Sequence, residues 1–163
     1  MGMLDDRVAL VTAAGGGIAG AIARRFAAEG ANVCCVDINK ETVNKTVTDI
    51  KENGGKAIAK ICNVANDSEV KICVDETADV LGRLEIVVNA AAASEPLHTV
   101  KTMPLEIWQE VLDVNLTGMF LVAKYAIPHM QAAGGGQFIN ISSTFGYIAW
   151  HQRPAYMATK GAV

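Results

Sequence analysis

The sequence predicts an α/β fold, a parallel sheet wrapped by crossover helices. Three observations point there. Short β-branched runs alternate with longer amphipathic ones, the pattern of strands joined through helices. Glycines stand where each helical stretch should end, at Gly30, Gly54-Gly55, Gly82 and Gly134-Gly135-Gly136. The 163 residues are 51% hydrophobic but only 6% aromatic, which suits an aliphatic core between sheet and helices.

The elements follow in order. The first strand is expected at Val8–Thr12, running directly into Thr12-Ala13-Ala14-Gly15-Gly16-Gly17-Ile18-Ala19-Gly20 and a helix over Ile18–Glu29. A strand, a glycine-rich turn and a helix start make a phosphate cradle. Backbone amides there approach a pyrophosphate where no side chain blocks them, and the helix dipole favours the anion. The second strand is Asn32–Val36, and Asp37-Ile38 stands at its end. An acidic side chain twenty residues past Gly17 suits the hydroxyls of a ribose and repels a 2′-phosphate. A plain helix-capping aspartate is the other reading of Asp37. A helix over Lys40–Asn53, a strand at Ala57–Cys62, a helix over Ser68–Leu81 and a strand at Glu85–Asn89 come next. A long helical stretch then runs from Leu105 to Ala133, with Pro128 expected to perturb it near its end. The last strand is Phe138–Ser142.

Near the carboxyl end lies Tyr156-Met157-Ala158-Thr159-Lys160. Four residues apart on a helix, Tyr156 and Lys160 share one face. A phenol holds its proton tightly at neutral pH, and a nearby ammonium favours the phenolate, so the pair is a plausible acid/base device. On its own the spacing is weak, because an exposed helix face often carries such a pair. Ser143, thirteen residues before the tyrosine, and Asn115, in Asp113-Val114-Asn115-Leu116-Thr117-Gly118, supply the context.

In this order, these motifs make the chain resemble a short-chain dehydrogenase/reductase of the classical subfamily, across essentially all 163 residues. The resemblance implies a Rossmann-type doubly wound parallel sheet with helices on both faces, carrying five of the family's usual seven strands. It implies one NAD(P)-binding domain over residues 1–163, incomplete at its carboxyl terminus, since such proteins continue for roughly another third of their length. The family's glycine pattern is Thr-Gly-x-x-x-Gly-x-Gly. Thr12 and Gly17 match it, while Ala13 and Ala19 replace its first and third glycines. Ala13 would be strained, by about 1–2 kcal/mol, if the first position needs a left-handed backbone. The cofactor is expected to touch Thr12, Ala14, Gly15, Gly16, Gly17, Ile18, Asp37 and Ile38, then Asn63-Val64 at the adenine. Asn89-Ala90-Ala91 stands in for the family's Asn-Asn-Ala, where Asn89 serves the sheet at least as readily as a ligand. Tyr156 and Lys160 contribute to the nicotinamide ribose as well. Asp37, with no basic residue in 13–17, favours NAD over NADP.

The same resemblance makes Ser143, Tyr156, Lys160 and Asn115 a catalytic tetrad for hydride exchange with an alcohol or ketone. Tyr156 is the acid/base, Lys160 its electrostatic partner, Ser143 a donor to the substrate oxygen and Asn115 a water holder. Ser94 and the aromatic loop with Phe145, Trp150 and His151 are expected to border an apolar substrate pocket. No metal site is expected. The expected partners are a small alcohol or ketone and further copies of the full-length chain, as a dimer or tetramer. A silent nucleotide-binding fragment or interaction module is the second reading.

Composition narrows the field further. A net charge of −3 gives no basic footprint for nucleic acid. Cys34, Cys35, Cys62 and Cys73 lack a Cys-x-x-Cys spacing and read as buried, reduced thiols, with neighbours Cys34 and Cys35 on opposite faces of their strand. Asp5 and Asp6 stand where a secretory leader would be basic and apolar, Lys124 interrupts the apolar stretch after Val122, and so the cytoplasm is the expected compartment and no membrane is expected.

Overall fold

The computed structural model describes residues 2–163. Five strands form one wholly parallel sheet: β1 (Val8–Thr12), β2 (Asn32–Asp37), β3 (Lys56–Ile61), β4 (Ile86–Asn89) and β5 (Gln137–Asn140), in spatial order β3-β2-β1-β4-β5. Five strands were expected, and their positions agree within about two residues at each end. β5 is shorter than Phe138–Ser142, although Ile141 still donates its N–H to the Asn89 carbonyl at 2.9 Å. The helices are α1 (Gly17–Ala28), α2 (Lys40–Glu52), α3 (Asp67–Leu81), α4 (Leu105–Leu112), α5 (Gly118–Ala132) and α6 (Pro154–Ala162).

Because successive strand residues point to opposite faces, the sheet builds two cores. On one side Ala9, Val11, Val33 and Cys35 pack with Ala19 and Ala23 of α1 and Val43 and Val47 of α2. On the other, Leu10, Cys34, Val36 and Val87 pack with Val70 and Val74 of α3 and Leu121 and Ala126 of α5. Cys34 and Cys35 thus face opposite layers, and all four thiols are buried and free. The small side chains of α1 let that helix sit close over the sheet.

The long helical stretch is not continuous. Between α4 and α5, Asp113–Thr117 forms a π-helical segment, in which the Gly118 N–H bonds to the carbonyl of Asp113. Pro128 lies inside α5, which continues to Ala132. The interruption therefore comes thirteen residues before the proline, at Asn115. By length and composition Leu105–Ala132 could cross a membrane. In the fold its Leu121, Val122, Ala126 and Met130 are core residues under the sheet.

Strand order reverses between β1 and β4: β2 and β3 extend one way from β1, and β4 and β5 the other. The carboxyl ends of those two central strands therefore open into a crevice, where ligands of doubly wound sheets sit.

Candidate active site

The crevice has two compartments. The first lies over the ends of β1, β2 and β3. Thr12 at the end of β1 is buried, and its hydroxyl accepts the N–H groups of Ala90 and Ala91 at 2.9 and 3.1 Å, knitting β1 to the turn after β4. Ala13 then turns the chain with φ +57°. This is the left-handed conformation that glycine adopts freely and alanine does not. Ala14 is completely buried and donates its N–H to the Val36 carbonyl at 2.9 Å, so it supports the loop from beneath. Gly15 packs so tightly that a Cβ there would come within 2.7 Å of the Asp37 carboxylate.

α1 begins at Gly17 with no side-chain cap, and Gly17 has φ +54°. A Cβ at Gly16 or Gly17 would meet no atom within 4 Å. The first amides of α1 therefore face open space, beside an exposed Ile18. This is the arrangement that accepts a phosphate group. The Asp37 carboxylate lies alongside, accepting the N–H groups of Gly15 and Asn39, each at 2.9 Å. Two backbone bonds leave further lone pairs for ribose hydroxyls. Asp37 does not cap α2; Asn39 does, accepting from Glu41 and Thr42.

A cavity of about 350 Å³ continues from there, lined by Ala13, Asp37, Ile38, Asn63, Val64 and Ala91, together with Ala92, Ala93, Cys62 and Glu110. Asn63 is there, but its Oδ1 already accepts the N–H of Ala65 at 3.0 Å. Asn89 is buried and donates to Oδ1 of Asn140 at 3.0 Å, fastening β4 to β5. That is the structural role of the two considered for it. The chain thus presents a small anion-receptive helix end, an acidic residue and an apolar slot in sequence, a set that fits a dinucleotide.

The second compartment, about 460 Å³, is lined by Ser94, Leu97, Ser143, Phe145, Trp150, Gln152, Arg153 and Tyr156. Ser143 sits three residues past the end of β5, where its Oγ accepts the Phe145 N–H at 3.2 Å and starts a short 3₁₀ turn. Phe145 meets the Tyr156 ring edge-on at 6.5 Å and the Trp150 ring at 5.9 Å. His151 was expected in this wall and is not part of it. It is exposed and stacks on the Trp150 ring at 5.4 Å, while Gln152 and Arg153 take the lining positions.

Tyr156 and Lys160 share one face of α6, with the ammonium 5.8 Å from the phenol ring centre. Lys160 is only 3% exposed, and its ammonium donates to the Ile141 carbonyl at 2.5 Å. Burial holds its pKa below the usual lysine value. Asn115 is fully buried in the π-helical segment. Its side chain accepts the Ala93 N–H at 2.6 Å and donates to the Ala93 carbonyl at 3.0 Å and to Thr159 Oγ1 at 3.1 Å. Asn115 therefore braces the loop after β4 against the turn of α6 that carries Lys160. Its side-chain amide is thus engaged by Ala93 and Thr159.

Two residues of the site, Glu95 and Arg153, were not singled out from the sequence. Glu95, buried at 2% exposure, turns its carboxylate onto the start of α6 and accepts the N–H groups of Ala155 at 3.1 Å and Tyr156 at 3.2 Å. It caps α6 from sixty residues away. Arg153 completes the clasp by donating to Ser94 Oγ and, at 3.2 Å, to the Glu95 carbonyl.

Residues 7–163 match the short chain dehydrogenase family. The chain is 35% identical to a cyclohexanol dehydrogenase of Acinetobacter sp. (strain SE19), covering 98% of this chain and 63% of that one. It is 36% identical to a 3beta-hydroxysteroid dehydrogenase of Mediterraneibacter gnavus, over all of this chain and 59% of that one. A crystal structure of an NAD+-bound xylitol dehydrogenase superposes with a TM-score of 0.95 at 31% identity, over 98% of this chain and 62% of that one. The chain thus spans about three fifths of the length of these relatives. With its Rossmann-type parallel sheet and these sequence matches, the chain belongs to the short-chain dehydrogenase family.

Proposed function

We propose that this chain carries the cofactor site and the reacting residues of an oxidoreductase that exchanges a hydride between NAD(H) and a secondary alcohol or ketone. The observation that carries the proposal is the placement of Tyr156 on the wall of a pocket that also holds Ser143, with the buried Lys160 ammonium 5.8 Å from the Tyr156 ring.

Bound nicotinamide supplies or receives the hydride at its ring carbon. The chain's own residues manage the proton and the charge. The Tyr156 phenol gives a proton to the carbonyl oxygen in reduction and takes it from the hydroxyl in oxidation. Lys160, its ammonium 5.8 Å from the phenol ring, favours the phenolate and so eases that proton transfer. Ser143 Oγ donates to the same oxygen and stabilises charge as it develops there. Asn115 fixes the height of α6 against the loop after β4, so the three groups converge. Asp37, repelling a 2′-phosphate, sets the preference for NAD over NADP. Phe145, Trp150 and Leu97 give the pocket an apolar wall suited to ring-bearing substrates, in keeping with the cyclohexanol and hydroxysteroid dehydrogenases among the relatives.

The test is Tyr156→Phe in the intact protein. It should lower turnover by a factor of about 10² or more while NADH affinity stays the same. Full activity in that variant would remove Tyr156 from the reaction and the proposal with it.

A further inference from the structure

Arg153 has a role that the hydride chemistry does not use. It lines the same compartment as Ser143 and Tyr156, three residues before the tyrosine. Its Nη1 donates to Ser94 Oγ and to the Glu95 carbonyl, which anchors one edge of the guanidinium. Among the described residues, Nη2 and Nε make no hydrogen bond and the guanidinium joins no ion pair. Glu95, whose carbonyl Arg153 holds, spends its carboxylate on the start of α6. The other lining residues, Ser94, Leu97, Phe145, Trp150 and Gln152 with the reacting pair, are all uncharged side chains.

Among the described residues, this otherwise neutral, largely apolar cavity is lined by a single cation, in a chain of net charge −3. A guanidinium fixed by one nitrogen, with two donors unspent, is pre-organised for a planar anion. Its fork geometry matches a carboxylate, and two rings, Phe145 and Trp150, stand ready for an apolar body between that carboxylate and the reacting carbon.

From this we infer that the substrate is a hydroxy or keto acid, its carboxylate held by Arg153 and its alcohol or ketone carbon presented to Tyr156 and Ser143. The inference rests on the oxidoreductase reading for the reacting end only. The anion site itself is a property of the pocket.

The test pairs binding with turnover in the intact protein. Cyclohexanecarboxylate should quench tryptophan fluorescence saturably, cyclohexanecarboxamide should bind at least about tenfold more weakly, and Arg153→Gln should erase that difference. Arg153→Lys, which keeps the charge without the fork, should retain part of it. In turnover, 4-hydroxycyclohexanecarboxylate should exceed cyclohexanol in kcat/KM by about tenfold or more, an advantage that Arg153→Gln removes. Equal binding of acid and amide by the unchanged protein overturns the proposal, even if cyclohexanol is oxidised and the oxidoreductase reading stands. Arg153-dependent binding of the acid with no turnover of either alcohol leaves the anion site standing and removes the oxidoreductase reading. An Arg153→Gln variant that loses cyclohexanol oxidation as severely as that of the acid shows a merely structural arginine, and also overturns it.

Discussion

The carboxylate of Glu95 and the backbone N–H of Tyr156 meet at 3.2 Å, so a buried acid in the loop after β4 holds the first turn of the helix that carries the Tyr156 phenol. The negative charge satisfies two amides that have no partner within the helix and opposes the positive end of its dipole. Remote capping of this kind makes the height and tilt of Tyr156 depend on a residue that never touches substrate.

Glu95→Ala should therefore cost about 1 kcal/mol of stability, the usual value of a lost cap. Its cost in turnover should be larger, because displacing a reacting group by about 1 Å costs on the order of 10² in rate. Glu95→Gln, which keeps an acceptor, should recover much of the rate. NADH affinity serves as the internal control and should stay constant in both. Equal loss in Gln and Ala would show that the charge matters and the hydrogen bonds do not.

At Ala13, φ is +57° where glycine would be unstrained. Ala13→Gly removes about 1–2 kcal/mol of backbone strain. It also returns about 0.4–1 kcal/mol of freedom to the unfolded chain. The balance is a net gain of roughly 0.5–1 kcal/mol, visible as a higher urea midpoint with an unchanged slope. A lower midpoint would mean that the Cβ of Ala13 packs better than its backbone is strained.

Most of the fold was legible because its signals are periodic or local. Alternating runs marked β1 to β4, and Gly30 and Gly82 marked helix ends through the left-handed backbone that only glycine takes easily, at φ +95° and +85°. The π-helical segment was not legible, since a bond from Gly118 back to Asp113 leaves no repeating pattern in the sequence. Asn115 showed only as a poor helix former. The site divides the same way. Tyr156, Lys160, Ser143 and Asp37 could be named from motif spacing, whereas Glu95 and Arg153 act through a loop brought to α6 by the crossing of chain segments about sixty residues apart. Their one sequence trace is a polar Ser94-Glu95 pair just after a central strand, where a doubly wound sheet places ligands.

The proposed preference for NAD over NADP rests on Asp37. Asp37→Asn keeps an acceptor for the Gly15 amide but removes the charge that repels a 2′-phosphate. NADH should weaken by about tenfold as a charge-assisted bond to ribose becomes a neutral one, and NADPH should tighten. Fluorescence titration with the two dinucleotides reads both changes. If the unchanged protein binds NADPH at least as well as NADH, Asp37 does not face the ribose as proposed.

The buried thiols should make the fold sensitive to alkali. Desolvation pushes the Cys35 thiol up to about 12 from its ordinary 9.0. Cys73, hydrogen-bonded beside Cys34, is likewise pushed up to about 12. Cys62 moves in the same direction through its bond to Cys73 and through burial. Below pH 9 these thiols are protonated whether the chain is folded or not, and stability does not depend on them. Between about 9 and 12 the unfolded chain loses thiol protons that the folded chain keeps, so stability falls, by up to about 1.4 kcal/mol per pH unit for each thiol. Lys160 works the other way. Its native pKa is depressed, so the unfolded chain holds that proton longer and stability rises with pH just below 10.5. Three thiols outweigh one ammonium, and the net slope should be negative above pH 9. Urea midpoints on either side of that pH measure the slope, and Cys35→Ala should make it shallower. A slope unchanged by that substitution would mean that Cys35 is as free to ionise in the folded chain as in the unfolded one.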